Sequence, residues 1–303
     1  MFERILVPLD GTPVAEQALI PATSIARASG AHLHLATVLM PPLMGLPELP
    51  SEASLGTIEA DYLEATAARV QAAGVASVST KLLRVDNTAR ALEEHRAEVG
   101  AGLTVMASHG RGAVERAWLG SVADRFVRTS EAPVLLVRAT PGAGATPDLS
   151  ADVRFDRVLV PLDGSEFSEA ALEPAAALGG ATDTRYVLLR IIEPPYAPGA
   201  ALLPAGFEFP EEQAEALRRE AEAELDAVAK RLGALGHAVE AVAEFSAPIA
   251  LGILRFAKNR KADVIAIATH GRGGITRALL GSVADKVIRG ADSPVLIVRP
   301  RNK

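Results

Sequence analysis

Two passages combine small residues, a histidine and an arginine in a spacing that can hold an anion. The first is ASHGRGAVERAWLGSVADRF, residues 107–126; the second is ATHGRGGITRALLGSVADKV, residues 268–287. Gly110, Gly112, Gly271 and Gly273 allow backbone conformations and close approaches that side chains forbid. Ser121 and Ser282 follow Gly120 and Gly281, and each opens a helical segment. A serine there is a natural N-cap, with Asp124 or Asp285 three positions on. First-turn amides point outward with partial positive charge, and an anion placed there gains roughly 0.3–1 kcal/mol, about 2 when partly buried. Several amides converging on one phosphate would make a usable site. A glycine turn followed by a serine cap is also how many ordinary helices begin.

Other chemistry is poorly served. GRGAVE and GRGGIT lack the third glycine of a dinucleotide fingerprint, and no Gly-Lys pair exists to build a Walker A loop. With no cysteine there are no disulfides or thiolates, and the six histidines lack ligand spacing, so no metal site and no catalytic residue is assigned. A net charge of −6 gives no general footprint for nucleic acid or anionic lipid. The apolar runs fall short of the ~18–20 residues of a membrane span. The opening MFERILVPLD is too short an apolar run for a signal peptide, which makes the cytoplasm the expected compartment.

The elements that must position these passages come twice. ILVPLDGT at 5–12 returns as VLVPLDGS at 158–165, an offset of 153. Residues 107–138 align without gaps on 268–299, with 19 of 32 positions identical. Each copy alternates short apolar runs with helical spacing. In the first copy the strands are RILVPL, HLHLATVLM, VSTKLLRV, LTVMAS and PVLLVR. Helices are expected between them, including one over 14–29 that Pro21 bends or begins in part. In the second copy, 211–232 reads as an amphipathic helix with Leu217, Ala221, Leu225, Val228 and Leu232 as its apolar stripe. The fold expected is α/β: two doubly wound, Rossmann-like parallel five-stranded sheets in tandem. Domain one spans 1–140, a Pro/Gly/Ala linker 141–153, and domain two 154–303. Ligands in such folds sit beyond the carboxyl ends of the strands.

ILVPLDGT, ASHGRG and LGSVADRFVRTSEAPVLLVR resemble the universal stress protein family, and the second half resembles it too, in the tandem form. The family's nucleotide-binding pattern is G-x-x-G, nine residues, then G-(S/T). Here nine residues separate Gly110 from Gly120-Ser121, and Gly271 from Gly281-Ser282. Both copies depart at the first position, which is Ala107 in one and Ala268 in the other. The resemblance implies ATP as ligand, with magnesium able to arrive alongside it. It places Asp10 and Asp163 on the adenosine portion, within the turns Asp10-Gly11-Thr12 and Asp163-Gly164-Ser165. An ordinary turn that caps the next helix is the alternative. Val38 and Ile191 would face adenine. Ser121 and Ser282 would donate to phosphate, and Val122 and Val283 would add amides. Arg111 and Arg272 could reach phosphate oxygens or lie on the surface. His109 and His270 read as structural or ribose-side groups. Trp118 is the single tryptophan, and it best serves to pack the excursion between Gly112 and Gly120.

The resulting expectation is an ATP-binding stress or regulatory protein, with at most slow hydrolysis because no general base or phosphate-loop lysine is evident. A scaffold of the same fold acting by protein contacts is the alternative. An adenylating hydrolase would need a serine-glycine-rich loop after strand one, which LDGTPVAEQ and LDGSEFSEA do not supply. The last strands, 133–138 and 294–299, are expected to pair within one chain; association into a homodimer is left open.

Overall fold

The computed structural model describes residues 2–39, 52–84, 87–108, 119–138, 146–179, 184–194, 210–269 and 280–300. The chain divides into two compact units, Met1–Arg154 and Phe155–Lys303.

The first unit begins with β1 (Arg4–Leu9), whose Ile5, Leu6 and Val7 are fully buried. Asp10 ends it, and Gly11 takes a left-handed φ of 78°. Thr12 then caps α1 (Pro13–Glu16) by accepting from Ala15 N, and Pro13 fills a first-turn position that needs no amide donor. The single helix expected over 14–29 is two: α1, then α2 (Leu19–Ser29), broken at Gln17 and Ala18. Pro21 falls in the first turn of α2, where its missing N–H costs nothing. Gly30, at φ 72°, closes α2. There follow β2 (His32–Leu39), α3 (Glu52–Ala72), β3 (Val78–Arg84), α4 (Thr88–Glu98), β4 (Leu103–Ala107), α5 (Ser121–Thr129) and β5 (Val134–Val137).

The five strands lie in the order β3-β2-β1-β4-β5. All their pairings are parallel, with Ile5 opposite both Leu33 and Leu103, and Thr104 opposite Val134. Strands buried on both faces explain the near-continuous apolar runs. Each fully buried aliphatic side chain contributes about 1.5–3 kcal/mol.

The second unit repeats the plan with β6 (Arg157–Pro161), α6 (Glu166–Glu169), α7 (Leu172–Gly179), β7 (Arg185–Ile192), α8 (Glu211–Gly233), β8 (Ala238–Phe245), α9 (Ile249–Asn259), β9 (Val264–Ala268), α10 (Ser282–Gly290) and β10 (Val295–Val298). The order is β8-β7-β6-β9-β10, again parallel. Helix α8 packs on β7 and β8, while α9 packs on β7 and α10. Of the stripe read from sequence, Ala221, Leu225, Val228 and Leu232 are buried. Within each unit the chain leaves its first strand toward one neighbour and later returns on the other side. That is the switch point at which doubly wound folds open a crevice.

Segment 149–153 belongs to the first unit. Arg27 donates to the carbonyls of Leu149 and Ala151, both at 3.0 Å, and Ser24 Oγ exchanges hydrogen bonds with the Val153 backbone.

Candidate functional site

The crevice of the second unit is a cavity of about 760 Å³ over the carboxyl ends of β6, β7 and β9. Such a volume lies within the range of small-molecule sites. Six sequence-predicted residues line it together: Asp163, Ile191, Ala268, Gly281, Ser282 and Val283.

Asp163 is held by the turn that follows β6. Its Oδ1 accepts from Ser165 N at 3.0 Å and from Ser165 Oγ at 2.5 Å. Ser165 Oγ accepts in turn from Ser168 N, capping α6, and Gly164 takes φ 79° to close the turn. The first unit repeats this: Asp10 Oδ1 accepts from Thr12 N at 3.0 Å and Thr12 Oγ1 at 2.6 Å. The turn-and-cap alternative therefore describes this geometry, with each Oδ1 committed to it.

Ile191 sits near the end of β7 and is 7% exposed. Its position depends on Gly252 in α9, where a Cβ would come within 3.1 Å of Ile191 Cδ1 and 2.7 Å of Ser246 Cβ. The missing side chain lets α9 approach the strand closely. Ile249, Ile253 and Ile267 extend this apolar wall. In the first unit the matching Val38 is half-buried on β2.

At the N-termini of α5 and α10, the structure corrects the capping read from sequence. Gly120 and Gly281 are themselves the N-caps, with ψ of 149° and 145°, and neither Ser121 nor Ser282 makes a cap bond. The physical reason lies one residue earlier. Gly120 N donates to Ser108 O at 2.6 Å and Gly281 N to Thr269 O at 2.8 Å, so the glycine is tied to the strand end. The helix can start only after it. The glycine amides are thus spent. The first helical bonds run from Asp124 N to Gly120 O and from Asp285 N to Gly281 O. That leaves the amides of residues 121–123 and 282–284 ahead of the helical ladder, pointing out of the first turn. Asp124 and Asp285 do not complete a capping box; they pair with Arg128 and Arg289 at 2.9 and 3.0 Å.

Ala107 and Ala268, the departures from the family pattern, end β4 and β9 and are 8% and 7% exposed. Ala268 lines the cavity. His109, Gly110, Arg111, Gly112 and Trp118 lie outside the described residues, as do His270, Gly271, Arg272 and Gly273.

Sequence reading missed the wall contributed by α8. Leu217, Glu220, Ala221 and Glu224 line the cavity, and Arg190 of β7 faces them. Arg190 Nη2 is 3.5 Å from Glu224 Oε2, and its Nη1 donates to Leu162 O at 3.4 Å. The available signal was Arg190 itself, a charge inside the otherwise apolar run YVLLRII. Among the described residues no group of three or more His, Asp or Glu could hold a metal ion. No described helix is long and apolar enough to cross a membrane.

Two parallel doubly wound units, each with a glycine-capped helix after its fourth strand, define an α/β protein. The universal stress protein family model matches residues 1–138 and 154–299, and the chain belongs to that family. A universal stress protein of Mycolicibacterium smegmatis is 29% identical over 317 residues, spanning 98% of this chain and 97% of that one. Universal stress protein MJ0531 of Methanocaldococcus jannaschii is 32% identical over 149 residues, 49% of this chain and 85% of its own length. The crystal structure of a universal stress protein from Archaeoglobus fulgidus superposes with a TM-score of 0.67 at 20% identity, covering 99% of this chain and 97% of that one.

Proposed function

We propose that the chain binds an adenine nucleotide, ATP in the first instance, in the crevice of the second unit, and acts as a regulatory protein whose conformation or partner choice follows nucleotide occupancy. One observation carries this reading: the cavity brings Asp163, Ile191 and the α10 N-terminus together in one space. An apolar wall of isoleucines suits a purine face. A carboxylate can accept from ribose hydroxyls. Three amides at a helix N-terminus suit phosphate oxygens. Nine residues between Gly271 and Gly281 match the family's nucleotide pattern.

The residues near the phosphate end offer little for chemistry on the nucleotide. Ser282 and Val283 supply donors, and Asp285 is engaged with Arg289. Positioning without a general base favours binding over rapid turnover. Magnesium would arrive with the nucleotide, held by phosphate oxygens. Isothermal titration of the full chain with ATP tests the proposal. Saturable binding that weakens at least tenfold in Gly281→Val supports it. No saturation at millimolar ATP defeats it in favour of the scaffold reading.

A further inference from the structure

The two units share a plan but differ at positions that border the second unit's cavity. Gly74 and Gly236 both take left-handed φ, 97° and 89°, after α3 and α8. Counted back twelve residues from them, Tyr62 stands where Glu224 stands; fifteen back, Glu59 stands where Ala221 stands. The buried pairs Leu63/Leu225 and Val70/Leu232 confirm the register. On the facing strands, Thr37 stands where Arg190 stands.

In the second unit, the methyl of Ala221, the exposed Glu224 and the Arg190 guanidinium border open volume. The first unit has different groups there. Glu59 is 8% exposed and Thr37 is 2%. The Tyr62 hydroxyl is buried, close enough to Glu16 and Asp10 that burial first and then their charges raise its pKa. A tyrosine and a glutamate thus stand where the second unit has a glutamate and an alanine. A ligand entering there would meet the bulk of both side chains.

Resting on the nucleotide reading above, we infer that the two units are not equivalent: the second takes ATP, while Tyr62 and Glu59 close the first against it. The chain then carries one nucleotide, in the second unit.

Native mass spectrometry and calorimetry of the full chain with ATP count the sites. One nucleotide per chain is expected, and Gly281→Val should remove it. Two per chain, or one retained in a folded Gly281→Val chain, overturns the inference while leaving nucleotide binding intact. None at all in the unaltered chain defeats the nucleotide reading itself. The paired change Tyr62→Ala, Glu59→Ala should raise the count toward two. A count that stays at one in this folded variant overturns the assignment of closure to these side chains.

Discussion

Arg69 Nη1 donates to Glu16 Oε2 at 2.9 Å, tying the short helix after β1 to the long helix α3. The duplication keeps this pair: Arg231 donates to Glu169 between α8 and α6. The surroundings differ. Glu16 and Arg69 side chains are 9% and 33% exposed, against 31% and 62% for Glu169 and Arg231. Arg69→Met strands a buried carboxylate and should cost roughly 2–3 kcal/mol. Arg231→Met, in a wet pair, should cost less than about 1 kcal/mol. Urea denaturation of the two variants checks the contrast, and equal losses would contradict it.

Acid should loosen the first unit through three histidines that the topology gathers. The His34 ring centroid lies 4.2 Å from that of His32 and 6.4 Å from that of His95. His34 Nδ1 bonds Ser79 Oγ at 2.8 Å, while its Nε2 is buried without a partner. Burial first, then the charges of His32, His95 and Arg4, lower its pKa to about 4. Glu98 reaches the cluster only through His95 Nδ1, at 3.2 Å. A histidine in the unfolded chain titrates near ~6.5. The unfolded state therefore takes up the proton first as pH falls. This contribution is complete above about pH 6.5 and is lost progressively toward pH 4. Trp118 belongs to the first unit, so its fluorescence should follow that unit's unfolding. The urea midpoint should drop between pH 7 and 4.5, and His34→Leu should flatten the drop.

Segment 149–153 is pinned to α2 by Arg27, whose Nη2 also meets Asp152 Oδ1 at 2.5 Å. Arg27→Ala removes donors to Ala73, Leu149 and Ala151 at once. Local opening should become about tenfold easier for each ~1.4 kcal/mol lost. Limited proteolysis should cut within 149–154 at least ten times faster, with the cores intact.

Gly252→Ala should act on the ligand from outside the cavity. The added methyl meets Ser246 and Ile191, so α9 or Ile191 must shift. Overpacking of this kind costs about 1–3 kcal/mol. The melting temperature should fall, and ATP affinity should weaken several-fold. Unchanged affinity in the folded variant would remove Ile191 from the binding surface.

Much of the architecture was legible because it rests on local signals. The strands RILVPL and LTVMA carry unbroken apolar runs, and Gly30 and Gly74 mark helix ends by the conformation they adopt. The break at Gln17 and Ala18 was legible in part: Pro21, read as bending or beginning part of the helix, stands in the first turn of α2, whereas the glutamine and alanine at the break favour helix. The cap at Gly120 and Gly281 was misread by one residue. Sequence shows a serine before a helix, but the bond from the glycine amide to the strand-end carbonyl is tertiary. The wall formed by Arg190, Glu220 and Glu224 was equally hidden: the two glutamates, one turn apart on α8, lie thirty or more residues beyond Arg190 and meet it only when α8 folds over β7. The contrast of Tyr62 with Glu224 becomes visible once the two left-handed glycines, Gly74 and Gly236, fix the register.

The decisive feature is where the ligand's phosphates lie. A crystal structure of the chain grown with saturating ATP addresses it directly. Phosphate oxygens within hydrogen-bonding distance of the amides of residues 282–284, with the purine against Ile191, are predicted. A second-unit cavity that stays without nucleotide, or nucleotide seated away from the α10 N-terminus, would contradict it.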